Sequence, residues 1–330
     1  MKIVYSDRYH IDIGSHVFAT VKYQLVRATL LRNGVRPSEF VEPELAGWDQ
    51  LALVHTDQYL EKLRTGRLTL AEIAEMELSW SPEIVEGFRL MVGGTLLAAR
   101  MALGGEGPTP PAETGAEAPR RPWRVVVHLG GGFHHAFCNH GEGFCMFNDV
   151  AVAIRVLKRE RLIGRSAVVD CDVHHGNGTA MIFTGDRSVF TFSMHQQHNY
   201  PGFKPPGSLD LGLDDATGDE GYLTALAEAL PDVLVRRPDI VFYLAGADPY
   251  REDELGGLSL TREGLRQRDR LVLAAARQTG VPVVVTLAGG YARHLDDTVA
   301  IHAATVEEAK AACAEAARDP TLPGTGTGEC

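Results

Sequence analysis

Apolar residues along this chain fall into two patterns that alternate, most regularly from Trp123 onward. Short runs dominated by Val, Ile, Leu and Ala occupy 123–129, 166–171, 188–194, 239–245 and 281–287. They are nearly continuous, without polar alternation, as strands buried on both faces should be. Helical spacing fills the intervals at 149–159, 177–183, 219–236, 261–279 and 295–313, with Thr261 placed as an N-cap and Glu263 in the following turn. Upstream, a β-like start at 2–5 is followed by helical spacing at 21–33, 57–66 and 83–103. The alternation predicts an α/β fold, a mostly parallel sheet flanked by helices on both faces.

Residues 104–122 are rich in Gly, Pro, Glu and Ala and lack apolar periodicity. Regular elements resume at once, so this stretch reads as a mobile surface insertion within one catalytic domain over 1–313. Residues 314–330, Gly/Thr/Pro-rich toward the end, read as a flexible tail.

With 330 residues and 45% hydrophobic content, the chain can bury a sizeable core in one large domain. A formal net charge of -11 leaves no basic stripe for phosphates, which argues against a nucleic-acid partner. No apolar run approaches the ~18 residues of a membrane span, and the start lacks a basic-then-apolar leader; the cytoplasm is the expected location. Five cysteines, odd in number and with no Cys-x-x-Cys pair, argue against a disulfide framework and a thiolate zinc knuckle. Any metal is therefore held by oxygen and nitrogen.

Five apolar runs end in polar clusters, and in a parallel α/β sheet ligands bind outside the carboxyl ends of the strands. Val168-Val169 leads to Asp170-Cys171-Asp172-Val173-His174-His175-Gly176-Asn177, where Asp172 and His174, two apart, project to one side. Asp248, at the end of another run, is the natural third ligand. Three protein ligands with one position left open is the catalytic zinc pattern, although Fe(II), Mn(II) or Co(II) would accept the same donors. His175 falls off the two-residue alternation and has the weakest claim.

His134-His135, after three glycines, are the proton-transfer pair aimed at that metal. Asp170 would orient His134 and favour its charged form, whereas Asn177 would hold His135 without favouring imidazolium. Tyr291, after Gly289-Gly290, offers a phenol donor for a developing oxyanion. Phe144 and Tyr200 suit the aromatic walls of a channel for a long thin substrate, with core packing an equally good reading of Phe144.

In this order the stretches GGGFHHA at 130–136, GFCMFNDVAVAI at 143–154, DCDVHHGNGT at 170–179, GADPYREDELGGLSLTREGLRQRD at 246–269 and AGGY at 288–291 resemble the zinc-dependent histone deacetylase superfamily. The ELGGLSLT and HNYPG segments are most similar to class IV and its bacterial relatives. The resemblance implies an arginase/deacetylase-like fold with about eight strands, and hydrolysis of N-acyl-lysine to lysine and a carboxylate. It assigns zinc to Asp172, His174 and Asp248, and catalysis to His134, His135, Tyr291, Asp170 and Asn177. Gly143, Phe144 and Tyr200 fall on the acyl-lysine channel. Asp170 and Ser193, with main-chain oxygens near Asp172, His174 and Met194, fall where the family holds a structural potassium ion.

Two departures stand out. Asn177 replaces the aspartate of class I members, and the family's substrate-backbone aspartate has no counterpart around Ser79-Trp80-Ser81. The expected partner is an acylated lysine peptide or protein, or a small acylated amine such as an acetylated polyamine, with no nucleic acid and no membrane; oligomeric state is left open. A non-catalytic acyl-lysine-binding module is the remaining alternative. A two-metal ureohydrolase would need Asp-x-His-x-Asp, whereas this chain has Asp170-x-Asp172-x-His174.

Overall fold

The computed structural model describes residues 1–104 and 123–318. Nearly all of the segment read as an insertion, and the tail from 319, lie outside the described residues. In chain order the elements are β1 (Ile3–Val4), α1 (Lys22–Arg32), β2 (Phe40–Val41), α2 (Trp48–Leu51), α3 (Asp57–Thr65), α4 (Leu70–Met76), α5 (Pro82–Ala102), β3 (Val125–His128) and α6 (Asp149–Arg159). They continue as β4 (Ser166–Asp170), α7 (Asn177–Ile182), β5 (Val189–Gln196), β6 (Leu209–Leu213), α8 (Asp219–Leu234), β7 (Ile240–Leu244), α9 (Arg262–Thr279), β8 (Val283–Thr286) and α10 (Leu295–Ala316). Helix α10 thus extends three residues into the stretch read as tail.

The eight strands form one sheet in the order β2-β1-β3-β8-β7-β4-β5-β6, and every pairing is parallel. The expected α/β architecture is the one found. β3, β4, β7 and β8 are buried along their whole length. Each fully buried Val or Ile contributes about 1.5–3 kcal/mol relative to exposure. Helix α5 packs on α6, while α1, α10, α9 and α8 pack in succession. Both α5 and α10 rest on β3, which puts one helical layer on each face.

β2, β6, α2 and α4 were not among the elements read from the pattern. β2 is two residues long, and edge strand β6 (LDLGL) is mostly half-buried, so neither makes a long apolar run. Helix α4 does carry a start signal, because Thr69 and Glu72 form a reciprocal capping box.

Strand register positions the chemistry. His128, Thr286, Leu244, Asp170 and Ser193 are paired in a row across β3, β8, β7, β4 and β5. Parallel strands all leave this row on the same edge of the sheet, so the loops that follow converge there.

Candidate active site

The loop after β4 carries Asp172 two residues beyond the row and His174 four beyond it, and the loop after β7 carries Asp248, also four beyond. The three are buried, and one ligand atom from each lies within 4.8 Å of the others. His174 Nδ1 is 3.1 Å from Asp172 Oδ1 and 3.6 Å from Asp248 Oδ2. Backbone amides pin the carboxylates: Gly289 N donates to Asp172 Oδ2 at 2.8 Å and Val173 N to Asp248 Oδ1 at 2.9 Å.

Asp248 Oδ2 is buried and, among the described residues, accepts no hydrogen bond. A side chain at 289 would run into the Oδ2 atoms of both Asp248 and Asp172, so glycine leaves that space open. Burial first, and then the Asp172 charge, push the Asp248 carboxyl up. An orphaned acceptor, two crowded carboxylates and an imidazole nitrogen fit a divalent cation.

The paired histidines arrive through a glycine turn. Gly131 and Gly132 have φ of 71° and 83°, and the buried carboxylate of Asp149 accepts hydrogen bonds from Gly132 N and Phe133 N at 2.8 to 3.1 Å. His134 Nδ1 then lies 2.6 Å from Asp170 Oδ2, and His135 Nδ1 lies 2.7 Å from Asn177 Oδ1. Burial lowers the proton affinity of both rings. At His134 the Asp170 and Asp172 carboxylates outweigh it and raise the ring to about 9. At His135 burial and the neighbouring His134 and His174 drive the ring well below its ordinary 6.5.

Tyr291 is presented by Gly290, whose φ of 145° favours glycine, and its amide donates to Asp253 Oδ2 at 2.6 Å. Burial, then Asp172 and Asp248, hold its phenol well above 10, so it remains a donor. Its ring faces Phe144 edge-on at 5.7 Å and forms part of a cavity of about 190 Å³. Gly143, Phe144 and Tyr200 line the same cavity. Gly143 and Phe144 have φ of 48° and 65° between Glu142 and Cys145, whose backbones hydrogen-bond reciprocally, as in a tight type I′ turn. A left-handed phenylalanine costs about 1–2 kcal/mol. Packing offsets that cost, since the ring lines the cavity and rests on the core.

Asp170 and Ser193 are paired across β4 and β5; Ser193 Oγ lies 3.0 Å from His195 Nδ1. His175 turns away from Asp172, its ring 4.7 Å from that of His195 and its Nε2 3.3 Å from Asp210. The Ser79–Ser81 stretch is structural: Trp80 Nε1 donates to Leu63 O at 2.7 Å, and Ser81 caps α5.

Several site residues were not singled out from the sequence. Phe18 stacks on Phe144 with ring centres 6.2 Å apart, and Glu77, exposed at the end of α4, lines the cavity. Lys22 is fully buried, donates to Ala288 O at 3.2 Å and sits 5.4 Å from the Tyr291 ring centre. Arg268, 0% exposed, donates from Nη1 to Gly246 O at 2.5 Å and to Cys171 O at 3.4 Å, bracing both loops that carry Asp172, His174 and Asp248. A helical period through α1 and α9 places both cations on the buried stripe, which is the signal that finds them.

A family model described as histone deacetylase domain matches residues 16–306. An uncharacterized protein of Picosynechococcus sp. is 40% identical over 289 residues, covering 87% of this chain and 90% of its own. Histone deacetylase 2 of Arabidopsis thaliana is 31% identical over 308 residues, covering 88% and 74%. Among solved structures, an HDAC homolog complexed with SAHA superposes with a TM-score of 0.74 at 22% identity, covering 94% of this chain and 84% of that one, a likeness of fold.

Proposed function

Because this chain belongs to the histone deacetylase domain family, we propose that it is a metal-dependent hydrolase that removes acetyl or longer acyl groups from the side-chain amine of N-acyl-lysine. The observation that carries the reading is the buried Asp172, His174 and Asp248 cluster with its orphaned oxygen, at a cavity walled by Phe18, Phe144 and Tyr200.

Held by those three residues, zinc, or Fe(II), Mn(II) or Co(II) in its place, supplies Lewis acidity toward the acyl carbonyl and toward water. His135, kept neutral, takes a proton from the attacking water. His134, kept cationic by Asp170, gives one to the leaving amine. The Tyr291 phenol donates to the carbonyl oxygen as negative charge grows on it. Asn177 holds His135 in place, and the aromatic walls and Gly143 shape a slot for the methylenes of the lysine chain. A potassium ion beside Asp170 and Ser193 belongs to the same reading as a structural element.

A second reading keeps the chemistry but takes a small acylated amine, such as an acetylpolyamine, as substrate. Glu77 favours it, an exposed carboxylate at the cavity that would attract a second, unacylated ammonium group.

The deciding measurement compares kcat/KM on acetyl-, butyryl- and myristoyl-lysine peptides and acetylpolyamines, before and after chelation and zinc return. Turnover lost on chelation and restored by zinc supports a hydrolase, and the panel selects the substrate class. Acyl-peptide binding with no turnover in the zinc-loaded protein overturns it in favour of a binding module.

A further inference from the structure

Asn177 is an amide, and an amide offers His135 either a donor or an acceptor depending on which way it faces. Its orientation is decided one residue further out. Asn177 Nδ2 donates to Glu142 Oε1 at 2.7 Å, and the same oxygen accepts the Tyr200 hydroxyl at 2.9 Å. Glu142 is only 14% exposed, with His140 Nε2 at 3.6 Å from its other oxygen. Burial works to raise its carboxyl, but His140, Asn177 and Tyr200 hold it below the usual carboxylate range. At neutral pH it is a carboxylate, able only to accept.

A pure acceptor at 142 forces the Asn177 NH₂ toward itself, which leaves the Asn177 carbonyl oxygen facing His135. His135 must then carry its proton on Nδ1, leaving the lone pair on Nε2. Glu142 also opens the tight turn that presents Gly143 and Phe144, and it anchors Tyr200 beside them; a side chain at 143 would meet both Tyr200 and His135.

We propose that Glu142 is the positioning residue of this site: through Asn177 it fixes the tautomer of His135, and through Tyr200 it holds the facing wall of the channel. This rests on the hydrolase reading for its use, but the tautomer itself does not depend on turnover. It also gives the Asn177 departure a physical account. The negative charge is set one hydrogen bond back from the imidazole, so the ring is oriented without being made cationic.

The test is ¹⁵N NMR of the imidazoles in the metal-free 330-residue chain at neutral pH, with His135 assigned by loss of its signal in His135→Ala. Wild type should carry the Nδ1–H form alone. Glu142→Ala should give a mixture with Nε2–H as Asn177 becomes free to turn over. Tyr200→Phe removes the wall contact but leaves His140 and Asn177 to hold Glu142 as a carboxylate, and should leave the tautomer unchanged.

In the zinc-loaded protein Glu142→Ala should lower kcat by about 10–100-fold, part of the roughly 10²–10⁴-fold that a positioned general base contributes. Tyr200→Phe should act mainly on KM. If Glu142→Ala does not fold, Glu142→Gln carries the test, because an amide at 142 can both donate and accept and should also admit Nε2–H. An unchanged Nδ1–H signature in the Glu142 variants overturns the proposal whether or not the enzyme turns over. A changed signature in a protein that never deacylates would instead overturn the hydrolase reading and leave this one standing.

Discussion

Two buried charged clusters sit beside the ends of β4 and β7, and they are finished in opposite ways. Around Arg268 every partner is supplied: Nε and Nη2 meet Asp269 Oδ1 at 3.0 and 2.9 Å, and Tyr243 and Thr305 hydroxyls donate to the same carboxylate at 2.5 and 2.7 Å. One cation faces one anion, and the spare guanidinium nitrogen braces Gly246 and Cys171 carbonyls. Around Asp172, His174 and Asp248 there are two carboxylates, one imidazole and an oxygen with no donor. A buried polar group costs free energy unless paired. The closed cluster therefore belongs to the fold, and the open one carries an unmet demand that the proposed metal would satisfy.

The largest effect expected from that contrast is on the open cluster. Asp248→Asn keeps the acceptor for Val173 N but removes a charge, and turnover should fall by more than ~10³-fold with loss of the Lewis acid. Stability should move the other way. The Asp248 carboxyl is raised in the fold, so it binds its proton more tightly folded than unfolded. Its ionisation as pH climbs above the unfolded carboxylate range therefore subtracts stability at neutral pH, and the metal-free Asn variant should unfold at a higher temperature. A lower midpoint by calorimetry would contradict the contrast.

Arg268→Met should do the reverse. It leaves Asp269 buried without its cation, and urea titration should show a loss of about 3–5 kcal/mol. A stability near wild type would mean that this network is not what braces the two loops.

A third state of satisfaction sharpens the comparison. His55 is buried and paired only while neutral, with Nδ1 at 3.0 Å from Phe137 O and Nε2 accepting Asn148 N at 3.1 Å; burial lowers it to about 4. The unfolded chain takes up this proton near 6.5, before the folded one does, so stability must fall as pH drops from about 6.5 to 4. Over that window the loss from this ring is on the order of 3 kcal/mol. Urea midpoints flat over that range would show that His55 is not held neutral.

The central strands and the candidate ligands were legible because their signals are local. A valine run buried on both faces reads the same in sequence and in space, and Asp170-x-Asp172-x-His174 sits on a single strand end. What escaped was decided by distant partners or hidden by charge. Glu142 meets Asn177 and Tyr200, 35 and 58 positions away, and nothing in its own neighbourhood marks it. Arg268 and Asp269 lie in the run Arg266-Gln267-Arg268-Asp269-Arg270, which looks like a solvated helix face, yet Leu265, Val272 and Ala276 place them on the buried stripe. Lys22 is concealed in the same way, in line with Val26 and Leu30.

Gly289 carries one more consequence. Its backbone is not in the left-handed region, so alanine would be tolerated there on conformational grounds; the methyl would be driven against the two carboxylates instead. A single added carbon at that position would be an inhibitor written into the chain, occupying the proposed ion's berth from within while the sheet beneath it stays intact.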